Sequence, residues 1–93
     1  MEHNLEHLNE DRHFKIREKI QSEMIRDYFG LKEVKDISNE QAYVWLKANA
    51  ATFDKSFALV VEEYPSFWDD AENNLDGALE IVKHRFIDQE KEK

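Results

Sequence analysis

The feature that most restricts this chain is the run from Ser38 to Tyr64, where apolar side chains hold one helical phase with no glycine or proline to reset it. At 3.6 residues per turn, Ala42, Trp45, Leu46, Asn49, Phe53, Phe57, Val60 and Tyr64 fall on one side of a single helix. A smaller stripe of Val44, Ala48, Ala51, Ala58 and Leu59 falls roughly opposite, and Glu62 continues that side as a charge. A helix apolar on one face covers a core, whereas one apolar on two faces sits between two neighbours. The unbroken phase predicts a helix over 39–63, about 37 Å long at 1.5 Å per residue. The alternative is a break at Asn49-Ala50-Ala51-Thr52, with Thr52 capping a new helix and giving four helices in all.

The boundaries follow from local chemistry. Ser38-Asn39-Glu40-Gln41 matches a capping box, and Ile37 and Ala42 are placed for the accompanying hydrophobic staple. Pro65 pushes Tyr64 out of helical geometry. Ser66 then caps a third helix predicted over 67–88, with Asp69 and Asp70 complementing its dipole. Trp68, Ala71, Leu75, Ala78, Leu79, Val82 and Phe86 make one stripe along it, and Gly77 falls on the opposite, solvated face. Asn73-Asn74-Leu75-Asp76-Gly77 could interrupt this helix, but the phase does not slip there. Upstream, Asn9 followed by Glu10 and Asp11 predicts a first helix over 9–29. Ile16, Ile20, Met24 and Tyr28 step by four along it, beside Phe14, Ile25 and Phe29. Gly30 stands where a left-handed C′ residue belongs, with Leu31 after it for the apolar contact. Leu31 to Ile37 form the connection, with Val34 and Ile37 expected beneath it, and residues 1–8 and 89–93 are expected to fray. The predicted fold is all-α, an antiparallel three-helix bundle forming a single domain over 1–93.

Composition agrees. Two glycines and one proline leave little for hairpins. Six Phe, three Tyr and two Trp at helical intervals argue for a folded core, although 37% of the residues are charged. The absence of cysteine excludes a disulfide scaffold, a thiolate zinc site and a cysteine nucleophile, and fits a reducing compartment. The polar start Met1-Glu2-His3-Asn4 has no signal-peptide core, and no apolar run approaches about 20 residues. These features lead to an expectation of a cytoplasmic protein with no membrane association.

The net charge of −8 repels nucleic acid and anionic lipid, so a basic protein partner is expected and direct nucleic-acid binding is not. No basic residue occurs between Lys55 and Lys83, whereas Glu62, Glu63, Asp69, Asp70, Glu72, Asp76 and Glu80 all do. One reading is a surface that steers a basic partner, another is an imitation of nucleic-acid phosphates, and the plainest is a solvated helix face. The stripe of Val44, Ala48, Ala51, Ala58 and Leu59, with Tyr43, likewise reads as a homodimer seam or as helix contacts within one chain. Trp45 and Trp68 are expected in the core, which leaves Tyr43 as the aromatic to test at an interface.

Signals for chemistry are thin. Glu10-Asp11-Arg12-His13 is a single Glu-x-x-His, and carboxylate-bridged dimetal bundles need two plus further inward carboxylates. His3 with His7 and Glu80 with His84 are each four apart, which supplies two ligands at most. Ser38 and Ser66 are read as caps. Ser22 and Ser56 lie in no nucleophile motif, there is no phosphate-binding glycine loop, and the acidic neighbours have no apparent apolar pocket beside them. Arg12, Lys15, Arg17 and Lys19 are mixed with Glu10, Asp11, Glu18 and Glu23, which suits pairing along the helix or docking of the acidic third helix. No enzyme activity, metal or cofactor is expected. The expected function is a non-catalytic interaction or regulatory module, expected as a homodimer, whose acidic surface binds a basic region of a partner protein. The alternatives are a nucleic-acid-mimicking inhibitor or immunity-type protein, and a carboxylate–histidine metal protein.

Overall fold

The computed structural model describes the backbone of residues 2–91 and the side chains of residues 11–91. Four helices account for most of them: α1 (Glu2–Phe29), α2 (Asn39–Glu63), α3 (Phe67–Asn73) and α4 (Leu75–Lys91). A 3-10 turn at Val34–Asp36 lies between α1 and α2, and no strand occurs among the described residues. The fold is all-α, but with four helices rather than three. α1 already runs from Glu2, ahead of the expected start at Asn9, and α4 continues to Lys91 with Gln89 buried.

The boundaries of α2 are those the capping chemistry predicts. Ser38 Oγ accepts from the Gln41 amide at 3.0 Å, and Gln41 Oε1 accepts from the Ser38 amide at 3.0 Å. No break occurs at 49–52: Asn49 turns its side-chain amide onto the Trp45 carbonyl at 3.0 Å, and the helix continues. The end of α1 is equally local. Gly30 has φ +65°, its amide donates to the Asp27 carbonyl at 3.1 Å, and the Leu31 amide donates to Arg26 at 3.0 Å. This is the Schellman pattern, in which the left-handed residue lets the last carbonyls find donors.

The extra helix arises from a hinge at Asn74. Its amide still donates to the Asp70 carbonyl at 2.8 Å, closing α3, while φ −147° and ψ 82° take the chain out of the helix. Asn74 Oδ1 then accepts from the Gly77 amide at 3.0 Å, as an N-cap side chain does for the third residue of a new helix. One asparagine therefore ends α3 and starts α4. Gly77 lies in that first turn against the Asn74 side chain, not on an open solvated face. Ser66 does not cap α3 as expected: its φ of −94° and ψ of 11° are not extended, and its hydroxyl bonds Asp70 Oδ2 at 3.1 Å instead.

One core joins the elements. α1 contributes Ile16, Ile20, Met24 and Ile25; α2 contributes Trp45, Phe53, Phe57 and Val60. α3 adds Phe67 and Ala71, and α4 adds Ala78 and Val82. Rings run through it in sequence, from Phe86 to Trp45 (6.0 Å), Phe53 (6.0 Å), Phe57 (5.7 Å) and Trp68 (5.5 Å). His13 closes the series, stacked on Trp68 at 3.9 Å with the planes 6° apart. Each fully buried side chain of this size stabilises the fold by about 1.5–3 kcal/mol. Two residues of α2 are buried without being apolar. Thr52 and Ser56 sit at the helix contact, where Ser56 Oγ donates back to the Thr52 carbonyl at 2.7 Å and so leaves no donor unsatisfied. Phe14 and Tyr28, expected on the covered face of α1, are 62% and 68% exposed. Val34, expected beneath the connection, is also exposed.

Candidate functional site

The acidic residues of the lysine-free stretch are all exposed, but they divide into two groups. Glu72 on α3 is held by Arg12 of α1 at 3.3 Å, and Glu63 at the end of α2 is held by Arg85 of α4. These two serve the fold. Arg12 thus docks the acidic third helix, as one reading of the basic cluster anticipated. Arg17 instead pairs with Asp54 and lies 5.4 and 5.7 Å from the Phe53 and Phe57 ring centres. Glu62, Asp69, Asp76 and Glu80 have no ion-pair partner among the described residues. Asp70 has only the Ser66 hydroxyl.

The hinge at Asn74 gives this surface a shape that the sequence did not suggest. Because α3 turns away from α4, a groove of about 350 Å³ opens between them and the end of α2. Phe67, Ala78, Tyr64 and Ile81 supply its apolar surface. Phe67 and Ala78 are buried at its base, whereas Tyr64 and Ile81 are 47% and 36% exposed at its sides. Asp70, Asn73 and Asn74 supply its polar edge, so Asp70 alone of the seven acidic residues lines it. An apolar surface therefore does lie beside the Asp69–Asp70 pair, contrary to the expectation from the sequence. Asn74-x-x-Gly77 with Asp76 between was the available signal, since it is a helix start in the middle of an apparent helix.

A larger groove, about 560 Å³, runs along α1 under Val34 and Leu75. Its walls carry Lys15 and Lys19 beside Glu18 and Glu23, so its lining charges are of both signs and balanced in number.

The second stripe of α2 is not enclosed. Val44 is 50% exposed, Ala48, Ala51 and Ala58 are exposed, and Leu59 is half-buried. The sandwich within one chain is therefore corrected: α2 packs through its main stripe, and exposed Lys55 and Glu62 share the outer side with the alanines. Tyr43, beside Val44, is 64% exposed, while Trp45 is buried and Trp68 half-buried.

For metals, His13 faces Trp68, and the His3–His7 pair and Glu10 lie outside the described side chains. No three His, Asp or Glu side chains converge among the described residues. No described helix is long and apolar enough to cross a membrane. Comparison with known proteins gives no match, whether to a family model, a curated protein or a solved structure.

Proposed function

We propose that this chain is a non-catalytic protein-interaction module whose acidic surface, formed by the end of α2, α3 and the start of α4, takes a basic segment of a partner protein. The observation carrying this reading is the division of the charges. Cations near this surface are engaged by Glu63 and Glu72, while Glu62, Asp69, Asp76 and Glu80 project outward with no cationic partner among the described residues. Uncompensated charge of one sign raises encounter rates with the opposite sign and rejects like-charged partners. Titration with a Lys-rich peptide at low and high salt tests it. The triple reversal Asp69→Lys, Asp70→Lys, Asp76→Lys should weaken binding by about tenfold or more. Unchanged binding in that variant refutes the reading.

A second reading, self-association along α2, rests on Tyr43 and Val44, neighbouring apolar side chains that are both at least half exposed. Sedimentation equilibrium of the wild type against Tyr43→Ser, Val44→Ser tests it. A concentration-dependent dimer lost in the variant supports the seam, and a strict monomer removes it.

A further inference from the structure

We infer that the groove between Tyr64, Phe67, Ala78 and Ile81 is the seat of an apolar anchor side chain of the partner, and that a Lys or Arg next to that anchor pairs with Asp70. This rests on the acidic-surface reading above and adds to it the chemical class of the bound segment: amphipathic, not merely basic. Charge alone would need only a convex acidic face. Here the base of the groove is Phe67 and Ala78, both buried, and its sides are Tyr64 and Ile81, which hold apolar surface toward water. An apolar side chain entering there is removed from water without displacing any ion pair, because the neighbouring Glu63–Arg85 pair does not line the groove. Asp70 is in the wall itself, within reach of a residue flanking the anchor rather than of one several turns away.

Charge complementarity also selects among occupants. A nucleic acid or an anionic lipid is repelled, and a second copy of this chain brings a net charge of −8 to a site already acidic. A basic amphipathic segment of another protein satisfies both the apolar base and the carboxylate. The hinge is what makes this possible, since a straight helix over 67–88 would place α3 in line with α4 and leave no angle between them.

The test uses the full chain and three probes: a short Lys/Ala peptide with one central Leu, the same peptide with Ser in that place, and an oligo-lysine of equal charge. Calorimetric affinities are compared for the wild type and for Tyr64→Ser, Ile81→Ser, whose exposed sites leave folding to be confirmed by circular dichroism. The Leu peptide should bind about tenfold or more tighter than the Ser peptide, and the variant should abolish that difference while leaving oligo-lysine affinity unchanged. Asp70→Asn, which keeps the side-chain shape, should weaken the Leu peptide more than the oligo-lysine. Equal, salt-sensitive binding of all three peptides overturns the groove while the acidic-surface reading stands. A Leu advantage that persists in the variant places the anchor elsewhere and also overturns it. Binding of none of the three fails both readings together.

Discussion

Gly77→Ala should leave the stability of this chain nearly unchanged, because two effects of similar size cancel at one hydrogen bond. Replacing a helical glycine by alanine stabilises by about 1 kcal/mol through the backbone entropy of the unfolded chain. A Cβ at position 77, however, would come within 2.6 Å of Asn74 Nδ2 and 3.1 Å of its Cγ. The asparagine amide must swing away, and the cap that its Oδ1 provides to the residue-77 amide is strained or lost. Loss of an N-cap costs about 1 kcal/mol. Asn74→Ala alone should therefore destabilise by about 1 kcal/mol, a shift in Tm of roughly 4–8 °C for a domain of this size. In the Asn74→Ala background the obstruction is gone, and Gly77→Ala should then restore about the same amount. The double-mutant cycle has a predicted coupling of about 1 kcal/mol, read from urea unfolding followed by far-UV circular dichroism. If Gly77→Ala stabilises the wild type by the full helix-propensity value, Asn74 moves aside at no cost and the hinge is not held by this contact.

The other predictions are independent of the hinge. Gly30→Ala meets no atom within 4 Å, so its effect is purely that of the φ of +65°, and it should lose about 1–2 kcal/mol in the same assay, with Gly30→Asn losing less. Arg17→Met keeps an unbranched apolar side chain but removes the guanidinium that lies over Phe53 and Phe57, and it should lose about 1 kcal/mol in low salt. Asp54→Asn, which removes only the exposed ion pair, should lose about half that or less. Ser56→Leu places a larger side chain at a fully buried position and should destabilise by about 1–3 kcal/mol in urea unfolding, whereas Ser56→Ala should be mild because the hydroxyl bonds only its own helix.

Where the sequence was legible, the determinant was local. Gly30 and the Ser38–Gln41 box act within one turn, and both lie where spacing and residue type put them. The hinge at Asn74 falls inside the 73–77 stretch where an interruption was possible, and the unbroken phase argued wrongly against it, because hydrophobic phase counts residues and carries no information about the direction of the axis. A single non-helical residue redirects the chain and leaves the count of apolar positions unbroken. The outer stripe of α2 misled for a different reason. Ala48, Ala51 and Ala58 are apolar, but alanine is also the strongest helix former, and an exposed helix face accepts it on that ground alone. Thr52 and Ser56 show the converse. Both carry hydroxyls and fall outside the apolar stripe, yet both are buried, and Ser56 satisfies its own donor inside the helix. The groove was not legible, since its walls come from α3, α4 and the Tyr64 cap of α2, whose relative placement no residue pattern specifies.

The charges separate fold from interaction in a way that salt can resolve. Among the pairs of described residues, Arg12–Glu72, Arg17–Asp54, Lys83–Asp27 and Arg85–Glu63 each join two different helices. Their side chains are 29–61% exposed, so each contributes only about 0–1 kcal/mol, and screening them removes little from a core built on buried aromatics. Stability should therefore change by no more than about 1–2 kcal/mol when salt is raised well beyond physiological strength, in either direction, because the self-repulsion of an acidic chain is screened as well. Binding of a basic segment has no such compensation. Its attraction is exposed and of one sign, so affinity should fall steadily over the same range. A stability that followed salt as steeply as binding would mean that the acidic residues are held by the fold's own cations, and that Glu62, Asp69, Asp76 and Glu80 have no charge left to offer a partner.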